Sequence, residues 1–214
     1  MKHLYVTVFV PATVIIPLAT GLIQKSYKNR KLEIIYWYLL FGGVMDVLER
    51  LLGIRDINNL PLLHLYTMAE LLLLGRFFQI IFDNSSIRRL IGVVMIGFLV
   101  FAIVDLSFIQ SIYRFNSYPR SVAALIISGF CLLYFFKRGD SDDSKSWVKY
   151  PLNWITTGLL LYFGSSFFFF AFLDVLYEKA SLKVNLFFGT VHATLVMVMY
   201  LLFTVGFLYA KNQR

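Results

Sequence analysis

Seven long apolar runs, separated by short polar connections, restrict this chain more than any other feature. They cover roughly Leu4 to Ile23, Leu32 to Ile54, Leu60 to Phe82, Leu90 to Phe108, Ser121 to Phe136, Leu152 to Tyr177 and Val184 to Ala210. One soluble core could not hide them all from water, whereas a bilayer takes about 20 apolar residues per spanning helix. Lipid satisfies no backbone hydrogen bonds, so spanning runs are helices or barrel strands, and long runs without strict alternation are helices. Composition agrees, with 59% hydrophobic and 15% charged residues against about 25% charged in soluble domains. The expected fold is all-α: a single integral membrane domain over 1–214 with seven transmembrane helices in the lipid bilayer, and 137–151 as a cytoplasmic loop. The expected location is the inner membrane of a bacterium.

The first run follows Lys2, as a secretory signal would, but its main charge block, Lys25, Lys28, Arg30 and Lys31, comes after it. A signal carries that charge in front, so the run reads as a retained helix. Lys and Arg accumulate on the cytoplasmic side. With the N-terminus outside, only Lys2, Arg55, Arg114, Arg120, Lys179 and Lys183 fall on the outer side, while twice as many cations fall inside. The expected topology is therefore N-out, C-in. The net charge of +8 reads as topology, with a contribution from anionic headgroups, and no nucleic-acid partner is expected. The single Cys131 excludes an intrachain disulfide and reads as a small buried residue.

No phosphate-binding glycine loop, Cys-x-x-Cys or nucleophile elbow is present. The small residues in "FGSSFFFFAF", Phe163 to Phe172, read as helix-packing positions. Ionisable residues inside the apolar runs carry more information, since each costs about 2.5 to 3.5 kcal/mol at the bilayer centre. At 1.5 Å per residue, Glu70 falls at the midplane and Arg76 in the inner half. Asp46, Glu49, Arg50, His64, Asp105, Asp174 and His192 all fall in the outer half, although they come from five different runs. That asymmetry predicts a polar cavity open to the outside with Glu70 at its floor. Asp46, Glu49, Arg50, Glu70 and Asp105 are the expected ligand- or proton-binding residues. Spacing puts Asp46 and Arg50 one helical turn apart, where they can pair.

"DVLER" at Asp46 is echoed by "DVLYE" at Asp174, and each aspartate is followed after 18 residues by a histidine, His64 and His192. The echo relates helices of like direction, as a 3+1+3 parallel internal repeat requires. It would place Asp46, His64, Asp174 and His192 around one axis, a donor set that Zn²⁺ accepts. The plan resembles the SWEET and PQ-loop transporters in architecture, although the chain has no Pro-Gln pair. A retinal protein would need a lysine in the last run, and the ceramidase-like membrane hydrolases a second histidine there; neither is present.

Three functions fit. The first is a binding or sensing module in which a small ligand, a cation or protons occupy the cavity and a membrane or cytoplasmic protein partner reads the result. The second is a small transporter opening inward past Glu70 and Arg76. The third is a zinc-dependent hydrolase with Glu49 or Glu70 as general base. Binding ranks first, because the inner halves of the runs offer few polar groups; no catalytic residue is assigned.

Overall fold

In the computed structural model, residues 4–139, 147–172, 176 and 179–210 are described, and among them the structure is helical without strands. Seven helices follow in order: α1 Tyr5–Ile23, α2 Arg30–Ile54, α3 Leu60–Ile81, α4 Ser85–Ile109, α5 Ser117–Gly139, α6 Pro151–Ala171 and α7 Leu182–Tyr209. Polar and proline residues set several starts. The Asn29 side chain accepts from the Lys31 backbone N–H, and Asn84 accepts from Ser86 and Ile87, each satisfying first-turn donors that no carbonyl can reach. Proline opens α3 and α6, where its missing N–H costs nothing. Helix α1 is interrupted: a π-helical turn at Tyr5–Phe9 leads into Val10–Ala12, and regular helix resumes at Ile15. Pro17, in the turn that follows, lacks the N–H that would bond back across the break.

Six of the seven helices are long and apolar enough to cross a membrane; α2 is the exception. Its 25 residues are ample in length. Arg30, Lys31 and Glu33 at one end, and Asp46, Glu49 and Arg50 near the other, lower its apolar character. The expectation of seven spans is thus met by six, with α2 as a charged helix packed among them.

Consecutive helices pack against each other from α1 to α7, and α7 returns to α1, closing the bundle. Helix α3 also touches α5 directly, which leaves α4 outside a ring of the other six. Helices α6 and α7 cross closely. A Cβ on Gly206 would lie 3.0 Å from the Pro151 carbonyl oxygen, and one on Gly158 would lie 3.3 Å from the Met199 carbonyl oxygen. Small residues allow such close approach where lipid supplies no hydrophobic drive.

The buried core is concentrated toward one end of the bundle. Leu32, Ile35, Phe77, Phe78, Ile81, Phe130, Cys131, Ile155, Phe203 and Phe207 come from the first halves of α2 and α6 and the later halves of α3, α5 and α7. Rings touch within it: Phe78 meets Phe77 at 5.1 Å and Phe130 at 5.5 Å between centroids. Among the buried residues of this end Asn153 and Thr156 are polar, and Tyr134 donates to Asn153 Oδ1 at 2.7 Å, whereas the buried carboxyl groups of Glu70 and Asp105 lie beyond this plug.

One boundary differs from the sequence expectation in a way that matters. Helix α5 begins at Ser117, not Ser121, because Pro119 seats its first turn. Arg120, expected in an outer loop, is therefore a helical residue inside the bundle. Asp174 lies outside the described residues, so the echo can be followed only through Asp46, His64 and His192.

Candidate functional site

Glu70 sits in the middle of α3 and is 1% exposed. Two hydroxyls reach the same carboxylate oxygen. Tyr38 of α2 donates to Glu70 Oε1 at 3.0 Å, and Tyr66, one turn before Glu70, donates at 2.9 Å. Two donors on one oxygen satisfy that side of the buried carboxyl group, which would otherwise be costly to keep away from water.

Beyond the tyrosines lies a cavity of about 170 Å³, walled by Tyr38, Met45, Asp46, Glu49, Tyr66, Arg120, Tyr162, His192, Met199 and Tyr200 among others. Arg120 supplies its cation. The guanidinium carbon is 5.6 Å from the Tyr66 ring centroid and 4.6 Å from that of Phe170, within cation–π range. It acts electrostatically on both Glu70 and Glu49, and it interacts with the Tyr162 hydroxyl. Among the described residues the one ion pair at contact distance is Asp46 with Arg50, so neither glutamate touches Arg120 directly. Arg120 Nη1 is buried and has no hydrogen-bond partner among the described residues.

Asp46 and Arg50 pair across one turn of α2, with two bonds at 2.8 and 3.0 Å. The guanidinium Nη1 also donates to the Thr7 carbonyl, fastening α1 to α2. This pair borders a second, wider groove of about 670 Å³ between α1, α2 and α7, lined by valines, alanines and glycines among others. The groove and the polar cavity share Gly42, Asp46, His192, Val196 and Tyr200 in their walls, so the two spaces adjoin.

His192 projects between α6 and α7. Its Nδ1 is 3.0 Å from Ser166 Oγ, and its ring stacks on Phe169 at 4.6 Å. His64 occupies a different place: it is 3% exposed, and its Nε2 lies 3.1 Å from the Arg114 carbonyl oxygen. Asp105, fully buried in the π-helical end of α4, has no hydrogen-bond partner on either carboxylate oxygen among the described residues. The structure thus sorts the expected residues into separate places. Asp46, Glu49 and His192 share the cavity beside Glu70, with Arg50 next to it; His64 lies toward the start of α3 and Asp105 in the π-helical end of α4. Among the described residues, no three of His, Cys, Asp and Glu gather closely enough to hold a metal ion.

Arg120 and the tyrosines Tyr66, Tyr162 and Tyr200 were not singled out by sequence reasoning. Pro119 immediately before Arg120 was the available signal, since proline favours the first turn of a helix. Tyrosines at mid-run were another, because a hydroxyl in hydrocarbon needs a partner. Compared with protein-family models, with curated proteins and with solved structures, the chain finds no match.

Proposed function

We propose that this chain is a polytopic membrane protein, N-out and C-in, whose outer-half cavity binds a small polar ligand, a cation or protons and serves as a binding or sensing module for a protein partner. The observation that carries the reading is Arg120. A charged donor left buried and unpaired costs about 1–3 kcal/mol or more. Such a group calls for an explanation, and a ligand or ordered water that supplies the acceptor is one. Arg120 Nη1 stands in that position on the wall of a cavity that also carries the carboxylates of Asp46 and Glu49.

In this reading Glu70, held by Tyr38 and Tyr66, forms the floor, and Glu49 and Arg120 meet the ligand. Arg50 holds Asp46 in orientation. Asp105, buried with no hydrogen-bond partner among the described residues, is a separate ligand- or proton-binding position at the end of α4. The phenylalanine-rich plug below the cavity favours binding over passage. A hydrolase would need a metal, and among the described residues Asp46, Glu49 and His192 share one wall without gathering closely enough to hold one.

Transport is the second reading, and one observation favours it. Helices α1 to α3 and α5 to α7 form the ring while α4 stays outside, as a duplicated three-helix unit with a linking helix would arrange itself.

Thermal unfolding of the purified protein in nanodiscs, against a panel of small carboxylates, amines and zwitterions, tests the proposal. A stabilising compound should lose its effect in Arg120→Gln and Glu49→Gln and keep it in Arg76→Gln. If no compound stabilises the protein in a way that depends on the cavity residues, the proposal is overturned. Uptake of the same compound into proteoliposomes would move transport ahead of sensing.

A further inference from the structure

Arg76 is a charge inside an apolar run that the cavity does not use. It lies near the end of α3 and is exposed, and its Nη1 donates to Gln79 Oε1 at 3.2 Å. Gln79 Nε2 in turn donates to the Arg88 carbonyl oxygen at 3.1 Å, tying the end of α3 to the start of α4. The start of α2 completes a wall. Asn29, Arg30 and Lys31 join Arg76, Gln79, Ile80, Phe82, Asp83 and Arg88 around a pocket of about 480 Å³.

The charge balance of this pocket is lopsided: Arg30, Lys31, Arg76 and Arg88 face one carboxylate, Asp83. The N-terminus of α2, capped by Asn29, adds the positive end of a helix dipole at the same place. Accumulation of cations on the cytoplasmic side accounts for Arg30, Lys31 and Arg88, which flank the apolar runs. It does not account for Arg76, which interrupts one. A long arginine near a helix end reaches outward to the interface. There its planar fork suits a phosphate, to which it can give two parallel hydrogen bonds. Basic pockets between helices at this level are where anionic headgroups dock. Ile80 and Phe82 give the same pocket an apolar edge, as a lipid needs and a free anion does not.

We propose that the pocket between the start of α2, the end of α3 and the start of α4 binds the phosphate headgroup of an anionic phospholipid from the surrounding leaflet, with Arg76 as the residue that grips the phosphate. Arg88, Lys31 and Arg30 supply the surrounding positive field. The N-out, C-in orientation makes this the inner leaflet, so a bound lipid would brace the ends of three helices on the side where a cytoplasmic partner would touch them. The site stands apart from the cavity beside Glu70, and its failure would leave the cavity reading intact.

Native mass spectrometry in detergent, with phosphatidylglycerol and phosphatidylcholine titrated separately, provides the test. Phosphatidylglycerol should bind in preference, and Arg76→Gln should weaken it by roughly tenfold, the effect of about 1.4 kcal/mol. Arg88→Gln should weaken it too, and Arg76→Lys should give an intermediate value, since charge returns without the fork. Lys28→Gln removes a nearby cation that does not line the pocket and should leave binding unchanged. Melting temperatures taken alongside separate lost binding from lost fold; Arg76 is exposed, and its one resolved bond is to Gln79. An equal loss in Lys28→Gln would mean that net charge alone attracts the lipid, and would overturn the proposal. So would displacement of phosphatidylglycerol by millimolar inorganic phosphate, which would mark a site for soluble anions.

Discussion

The Tyr38 hydroxyl donates to Glu70 Oε1 at 3.0 Å, joining the middle of α2 to the middle of α3 where both side chains are sealed from solvent. Tyr66 shares that oxygen. The bond ties a buried carboxyl group to Tyr38, which with Tyr66 forms part of the cavity wall, and it satisfies a polar group that would be costly to bury unpaired.

Removing either hydroxyl should therefore destabilise the bundle by about 1–2 kcal/mol, within the range for losing one partner of a buried hydrogen bond. Equilibrium unfolding of Tyr38→Phe and Tyr66→Phe in mixed micelles checks this. The double variant should cost more than the sum of the singles, because Glu70 then loses both donors together. Strict additivity would mean that water replaces the hydroxyls.

Gly206 supports a different relationship, the close crossing of α6 and α7. A methyl there would meet the Pro151 carbonyl oxygen at 3.0 Å and Ile155 Cγ1 at the same distance. Backbone cannot swing aside as a side chain would, so Gly206→Ala should cost about 1–3 kcal/mol, the usual range for overpacking. Gly53→Ala is the contrast, since nothing lies within 4 Å of its added methyl. Comparing the two melting temperatures tests the crossing, and equal values would contradict it.

The helical content was legible because hydrocarbon admits only helices or closed barrels, and long apolar runs without strict alternation select the helix. The Asp46 and Arg50 pair was legible for a local reason: a helix brings i and i+4 together whatever surrounds them. Arg120 was hidden because its role depends on where α5 starts. A shift of four residues at Ser117 turns a loop cation into a buried one. The tyrosines were hidden because an aromatic ring passes for apolar filler until its hydroxyl is seen to have a partner. The 18-residue spacing from Asp46 to His64 did not bring those two together in one cavity. Asp46 looks into the α2 and α7 wall, whereas His64 bonds to the Arg114 carbonyl oxygen.

Topology is open to a direct check. A reporter active only outside the cytoplasm should work when fused near Asn59 or Lys179, and should be silent after Lys145 or at the C-terminus. Activity at the C-terminus would contradict an odd number of crossings from an outer N-terminus, and would mean that α2, the one helix too charged to count as a span on composition, does not cross.

The central claim is that a polar cavity reaches from the outer surface toward Glu70 and stops at the apolar plug. A membrane-impermeant thiol reagent applied to intact cells tests it most directly, on a Cys131→Ala background that removes the native thiol. The account predicts that Glu49→Cys is labelled from outside and that Gln79→Cys, at the other end of α3, is not. Failure of Glu49→Cys to react from outside, or equal labelling of both positions from that side, would contradict it.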